Sequence, residues 1–427
     1  MNRRDFMKLV GGLSMAGAWS GFHQTPAQAA QPFSELALIT IYASGGWDHS
    51  YFCDPRNNPT INHWATSASA GSAGNLRYAP VAENQEFFEK YFQHMLVING
   101  IDLETNGHEG AELVQHSGGL SGFPILNALY GAIKGAGLPL TWLLDSSTTA
   151  NLSIQSYTHL PSERLMRQLT DTNRRDDSRE FFRTSDIKII DKFRLERLSA
   201  QLLADKTLPY MHRKMEQLYQ ARTGRDLMDR LAMELPASFD TLDLKGGSEA
   251  KISKLHRTLV AIKAGVCVTA NIRTNNGFDS HSDHDANHDQ SLRELTRTLD
   301  YLWTKAEVLG IDERLVVHVT SDVGRTPFYN DNAGKDHWSS GSTIIMMKNQ
   351  NWTNRVVGLS GPEHEKTKIN PVTLQEDSAG VTLKSAHVHR ALRKILGIDK
   401  HPLSQKFSCI EPEIDMFNAS ISSPVNV

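Results

Sequence analysis

Short apolar, β-branched runs recur along the chain, separated by polar stretches long enough to hold helices. The first, "ELALITIYASGGWD" (35–48), ends in Gly-Gly, the pattern of a buried strand that delivers a loop. Further runs follow: "HMLVING" near residue 97, "PLTWLLD" at 139–145, "GVCVTANI" at 265–272, "RLVVHVTSD" at 314–322 and "STIIMMK" at 342–348. Helical periodicity fills residues 109–117, 122–133, 249–264 and 287–309. In the last of these, Leu292, Leu295, Leu299, Leu302 and Trp303 recur at helical spacing. Strand alternates with helix, which predicts an α/β fold built on a largely parallel central sheet.

Residues 155–240 break that rhythm. They carry almost no strand signal and are dense in Leu, Lys, Arg and Glu, so they read as two or three amphipathic helices inserted between strands. Their alternating charges fit solvated helix faces. The chain shows no internal repeat and no low-complexity segment, and the tail after Pro402 reads as an edge strand or a draped extension.

The N-terminus has a different logic. "NRRDFMK" sets twin arginines ahead of an apolar, Gly-rich stretch from Leu9 to Phe22, and "PAQAA" offers a small-x-small cleavage site. Residues 1–29 therefore read as a twin-arginine signal peptide. A periplasmic or extracellular location and a mature domain over 30–427 follow, with no further segment apolar enough to span a membrane. Because this export route carries folded cargo, it gives some support to a cofactor loaded before export. The full chain has net charge −3, and cleavage removes Arg3, Arg4, Lys8 and Asp5, making it more acidic. An acidic chain with no sustained basic run is a poor candidate for nucleic acid or an anionic membrane. Its three cysteines, Cys53, Cys267 and Cys409, form neither a disulfide framework nor a zinc ribbon.

Ligands in open α/β sheets collect at the carboxyl ends of parallel strands, and there the polar residues gather. The first strand ends in "GGWDHS" with Asp48 and His49. The strand near 270 leads to "GFDSHSDH" with Asp279, His281, Asp283 and His284. The strand near 318 ends in "SDVGRTP" with Asp322 and Arg325, and "GKDHWSSG" beyond it holds Asp336 and His337. Carboxylate oxygen with neutral imidazole nitrogen is a ligand mixture for Zn, Mn or Fe. A His/Asp-rich loop can equally be a solvated surface. His288 and Asp289 fit that reading in the first turn of the next helix, and Asp283 and Asp285 could cap it. Asp48, Asp279, Asp322 and His337 resist it, since each follows an apolar strand at one predicted sheet edge.

The motif order, strand-GG-x-D, "NGHEGAE", "GFDSHS", "SDVGRTP" and "GKDHWSSGS", resembles the twin-arginine-exported domain-of-unknown-function family 1501, grouped with the alkaline phosphatase and sulfatase superfamily. The resemblance spans essentially the whole mature chain. It implies a doubly wound sheet flanked by helices, two divalent metal ions (Zn or Mn) at the strand ends, and hydrolysis or transfer of a phosphate or sulfate ester. Residue by residue it implies that Asp48 binds one metal, that Asp279, His281 and His337 bind the other, and that Asp322 is a further ligand. Val323 stands where a metal-binding histidine usually follows, so His284 or His108 would have to substitute.

The resemblance also implies a hydroxyl nucleophile at a helix start, where free N–H groups hold the anion. Here that place is Gly107. Thr105 is the nearest hydroxyl, either a nucleophile or a helix-entry cap with Asn106. Arg325 is either a clamp on a tetrahedral oxyanion, a role the helix start near His108 could share, or an ion-pair partner of Asp322 or another acid. Two functions remain open: a metal-dependent hydrolase or transferase acting on a small anionic ester, and a non-catalytic exported protein that binds or assembles with a partner.

Overall fold

The computed structural model describes residues 35–145, 154–171, 173, 179–203, 211–212, 215, 218–219, 225–241, 249–274, 277–410, 412–418 and 420. Every described element lies in the compact unit Glu35–Val427. The expected signal peptide lies outside the described residues.

Eight strands make the central sheet: β1 (Ala37–Ala43), β2 (Met95–Asp102), β3 (Trp142–Leu144), β4 (Thr158–His159), β5 (Thr269–Arg273), β6 (Leu315–Ser321), β7 (Ser340–Met346) and β8 (Arg355–Val357). Their order across the sheet is β8-β2-β7-β6-β1-β5-β3-β4. Neighbours run parallel, except that β7 is antiparallel to both β2 and β6. The exception has a local cause. A parallel return needs a crossover, usually a helix, whereas residues 322–339 between β6 and β7 fold back through a two-residue ladder, Gly324–Arg325 against His337–Trp338.

All seven residues of β1 are buried, as expected of a central strand covered on both faces. Ala37, Ile39, Ile41 and Ala43 join a core with Phe87 and Phe88 of α1 (Asn84–Tyr91) and Leu292, Leu295, Leu299 and Leu302 of α8 (His284–Leu309). On the other face the Thr40 hydroxyl donates to Asn127 of α3 (Leu126–Lys134), and the Tyr42 hydroxyl to Glu112 of α2 (His108–Ser117). The period-2 alternation of β1 thus feeds two helical layers. Helices α7 (Glu249–Lys263) and α9 (Ser385–Ile395) complete the described covering.

Within 155–240 the described helices are α4 (Glu163–Thr170), α5 (Thr184–Leu203) and α6 (Arg225–Glu234), with Ser162 capping α4 by accepting from Leu165 N–H. This stretch is not wholly apart from the sheet, because β4 adds an edge strand from inside it. Cys53, Cys267 and Cys409 are free thiols. Among the described residues no helix is long and apolar enough to cross a membrane.

Candidate metal centre

Strand direction decides what meets at the site. The carboxyl ends of β1, β2, β5 and β6 share one sheet edge, and the antiparallel β7 begins there. The loops after β1, β5 and β6, the start of α2 after β2, and the residues before β7 therefore converge. One glycine sets how tightly. Gly46 has φ +84°, and a Cβ on it would lie 2.5 Å from Val323 Cγ2 and 2.9 Å from the Val323 carbonyl, so no side chain fits there. The close approach lets Gly45 N–H donate to Asp322 Oδ1 (3.1 Å) and lets the Gly46 carbonyl accept from Arg325 Nε (3.0 Å).

Three imidazoles close on one carboxylate oxygen. Asp279 Oδ1 lies 3.1 Å from His281 Nε2, 3.3 Å from His337 Nε2 and 3.5 Å from His108 Nε2, and the first two nitrogens are 3.0 Å apart. Each ring's other nitrogen faces an obligate acceptor. His281 Nδ1 is 2.7 Å from Asp336 Oδ1, His108 Nδ1 is 2.6 Å from Asp322 Oδ2, and His337 Nδ1 is 2.9 Å from the Asn106 carbonyl. Carboxylates and carbonyls only accept, so each Nδ1 carries a proton, and a cation between the rings and Asp279 would meet the Nε2 lone pairs.

Such a cluster of imidazoles and a carboxylate suits a cation. Tetrahedral ligands bonded to one zinc-like ion at about 2.0–2.1 Å sit about 3.4 Å from one another; the four distances above run from 3.0 to 3.5 Å, and the ligand atoms of His108, Asp279 and His337 all lie within 4.8 Å of one another. The outer acceptors are the partners that orient metal-binding histidines. His108 Nε2 is a buried nitrogen with no hydrogen-bond partner among the described residues, as expected of a ligand atom kept for an ion. Asp279 and His281 are partly exposed, so the centre opens to solvent.

Burial pushes the Asp279 carboxyl upward, but the hydrogen bond and charge of the Arg325 guanidinium outweigh it and hold it at about 2. His108 is raised by its hydrogen bond to Asp322, against burial, whereas His337 is lowered by burial and by the neighbouring His108 and Arg325. Near neutral pH Asp279 is thus charged.

Several sequence expectations change. Asp48, expected on a separate metal, lies apart from Asp279 in a buried group with His49 and His364. It is fully buried, its Oδ1 accepts from the backbone N–H and hydroxyl of Ser50, and its Oδ2 is shared by Lys335 Nζ (2.5 Å) and His284 Nε2 (3.2 Å). Burial raises this carboxyl, but Lys335 and His284 bring it well below the carboxylate range. Asp322 stands behind His108 as its outer acceptor instead of facing the centre. His284 is no substitute ligand there, because it takes Ser280 on one nitrogen and Asp48 on the other. Arg325 is fully buried, and its N–H groups reach Asp279 and the carbonyls of Gly45, Gly46 and Lys335. It positions Asp279 and is walled off from an incoming oxyanion. Thr105 Oγ1 accepts from Gly107 N–H (3.1 Å), the helix-entry alternative.

His288 is not a solvated helix residue. It is buried and accepts Asp48 N–H on Nε2. Asp283 occupies the cap position of α8 at φ +45° but makes no side-chain cap bond. Lys335 and His364 carry no signal in the sequence, yet each contacts the machinery, Lys335 through Asp48 and His364 through the Arg325 carbonyl, while Asp336 reaches it through His281.

Residues 205–348, which hold Asp279, His281, Asp322, Arg325 and His337, match the family model described as "Protein of unknown function (DUF1501)". This is the family the motifs resemble. The DUF1501 match excludes Asp48 and His108, which come earlier in the chain. No curated protein matches the chain. Solved structures similar to it include the PsFucS1 sulfatase from Pseudoalteromonas sp., 10% identical, covering 98% of this chain and 76% of that one at a TM-score of 0.40. They also include the TAB5 alkaline phosphatase, 10% identical, covering 73% and 91% at 0.32. A third is the lipoteichoic acid synthase LtaP from Listeria monocytogenes, 9% identical, covering 90% and 76% at 0.33. These superpositions are loose, and the chemistry of the centre stands on its own residues.

Proposed function

We propose that the protein is an exported, metal-dependent hydrolase or transferase acting on a phosphate or sulfate ester, with its ion held by His108, Asp279, His281 and His337. One observation carries the reading: three Nε2 atoms, on rings each held by an outer acceptor, lie 3.1–3.5 Å from a single Asp279 oxygen. A divalent ion bound there would supply Lewis acidity, neutralising ester oxygens and making water acidic at neutral pH. Zinc or manganese suits the nitrogen and oxygen donors.

The chain's own residues do the rest. Asp322, Asp336 and the Asn106 carbonyl hold the three rings, and Arg325 holds Asp279. His108 opens α2, whose first helical hydrogen bond is Ala111 N–H to the Gly107 carbonyl. The N–H groups before it have no helical acceptor, and such a helix start favours an ester anion. Two clefts adjoin the centre. One, of about 430 Å³, is lined by Thr105, Asn106, Ser339 and two ion pairs, Lys366 with Asp102 and Lys384 with Glu104. The other, of about 610 Å³, is lined by Phe328, Tyr329 and Trp338, whose side chains suit the organic part of an ester, and by the acids Asp336, Glu363 and Glu365.

A second reading, a non-catalytic binding or assembly protein of the same fold, draws support from the commitment of Thr105 to a turn and the absence of a hydroxyl at Gly107. Purified protein supplied with Zn or Mn, assayed on aryl phosphates, aryl sulfates, phosphodiesters and sulfated sugars, separates the two. Turnover that falls at least about a hundredfold in Asp279→Asn and His281→Asn supports the enzyme. Metal-loaded protein inert across the panel supports the binding protein.

A further inference from the structure

The larger of the two clefts beside the metal centre, about 610 Å³, has a charge of its own. Its lining includes the carboxylates of Asp336, Glu363 and Glu365 and, among the described residues, no lysine, arginine or histidine. Asp336 is committed to the centre, with Oδ1 2.7 Å from His281 Nδ1. The two glutamates are free of such a tie. Both are exposed, Glu365 Oε2 accepts the Glu363 backbone N–H at 2.6 Å, and neither has an ion-pair partner among the described residues. The rings divide in the same way. Tyr329 is occupied: it stacks on His63 at 3.8 Å between centroids, has Lys335 Nζ 5.0 Å from its own centroid, and gives its hydroxyl hydrogen to Asp285. Phe328 is 45% exposed, and the Trp338 indole N–H donates to the His364 carbonyl, which fixes that ring in the wall. Neither Phe328 nor Trp338 stacks on another ring or meets a side-chain cation among the described residues.

Opposite charges thus stand side by side. Neutral imidazoles and one carboxylate around a divalent ion leave a net positive charge, so a phosphate or sulfate group is drawn to the centre and repelled by the cleft. Two unstacked rings beside two unpaired carboxylates suit an organic cation. The ring faces attract it through their quadrupole, and the acids supply full opposite charge. We infer that Phe328, Trp338, Glu363 and Glu365 form a subsite for an alkylammonium group, which makes the substrate a phosphate or sulfate ester of an amino alcohol. A neutral sugar could lie on the same rings, but it would leave both glutamates without a counter-charge. The anionic end of this substrate rests on the ester-hydrolase reading, whereas the cationic end rests on the cleft alone.

Calorimetry on the full chain supplied with Zn(II), at low ionic strength, tests this by comparing choline with dimethylbutanol, its uncharged carbon isostere. Choline should bind at least about tenfold more tightly, and Glu363→Gln/Glu365→Gln and Phe328→Ala should each erase most of that preference. All three positions are exposed, so these variants should fold. Equal binding of the two alcohols, or a preference untouched in Glu363→Gln/Glu365→Gln, overturns the inference. Kinetics on phosphocholine, dimethylbutyl phosphate and aryl esters separate it from the ester reading. If choline is preferred but no ester is turned over, the ammonium subsite stands and the ester reading fails. If aryl esters are turned over while the two alcohols bind alike, the ester reading stands and the inference fails. Displacement of choline by phosphatidylcholine vesicles assigns the group to a lipid headgroup, and displacement by free phosphocholine alone assigns it to a small ester. Displacement by neither overturns the inference.

Discussion

His281 Nε2 and His337 Nε2 face each other at 3.0 Å while the other nitrogen of each ring points away, toward Asp336 and the Asn106 carbonyl. Asp336 accepts from His281 Nδ1 and so turns the ring's Nε2 toward the centre. Asp336→Asn keeps the side-chain shape but removes the charge that makes His281 the better ligand. Metal affinity should fall about 10- to 100-fold. Thermal stability without metal should barely move, since Asp336 is exposed. Competition against a chromogenic chelator measures the first quantity, and unchanged affinity would remove Asp336 from the account.

Gly107 is open to repair. Its backbone is ordinary extended chain at φ −98°, and a Cβ would meet only Thr105 Oγ1, at 3.7 Å. Gly107→Ser should fold normally and gain a few tenths of a kcal/mol, as a serine cap does over glycine. It also puts a hydroxyl beside His108. If covalent transfer is the chemistry this fold lacks, the variant should show burst kinetics on an aryl ester that the unaltered protein does not. A destabilised variant would contradict the geometry of the α2 entry.

Lys335 and Asp48 form a pair with both side chains fully buried. Removing only the cation leaves an uncompensated buried carboxylate, so Lys335→Met should cost about 3–5 kcal/mol. Lys335→Met/Asp48→Asn should recover much of it. Urea denaturation of the two variants measures both values, and a double variant no better than the single would show that the pair is not the source of the loss.

Stability should fall in mild acid. Burial lowers His116 to about 4, His389 to about 3 and His318 well below its ordinary value. Each is neutral in the fold and protonates near 6.5 once unfolded, so the unfolded chain binds more protons below that pH. Their support is complete above about pH 6.5 and declines as pH drops toward the folded values, each group contributing a slope of up to about 1.4 kcal/mol per pH unit. Urea midpoints at pH 7, 6 and 5 should drop progressively, and His318→Gln should flatten the decline. A midpoint constant across that range would contradict the assignment.

Six of the eight sheet strands and the helices α2, α3, α7 and α8 were legible because apolar runs and helical spacing report burial directly, whereas the short edge strands β4 and β8 were not. Asp279, His281 and His337 were legible as candidates because a strand end fixes which edge a following polar residue reaches. What spacing does not report is which atom a side chain meets on arrival. Asp48 and Asp322 reach the right edge, yet Lys335 takes the first and His108 the second. Lys335 sits in a polar loop, where nothing along the chain marks burial, since its burial depends on a carboxylate 287 residues away. One signal was present and unread: His284 and His288 continue toward the N-terminus the spacing of Leu292, Leu295 and Leu299, which places them on the buried face of α8.

The central claim is that His108, Asp279, His281 and His337 hold one ion together. Its most direct test is cobalt(II) substitution followed by visible spectroscopy of the unaltered protein and the four single alanine variants. Intense d–d absorption of a four-coordinate nitrogen and oxygen site that weakens or shifts in every variant is the expected result. A spectrum identical to that of the unaltered protein in His281→Ala and His337→Ala would contradict it.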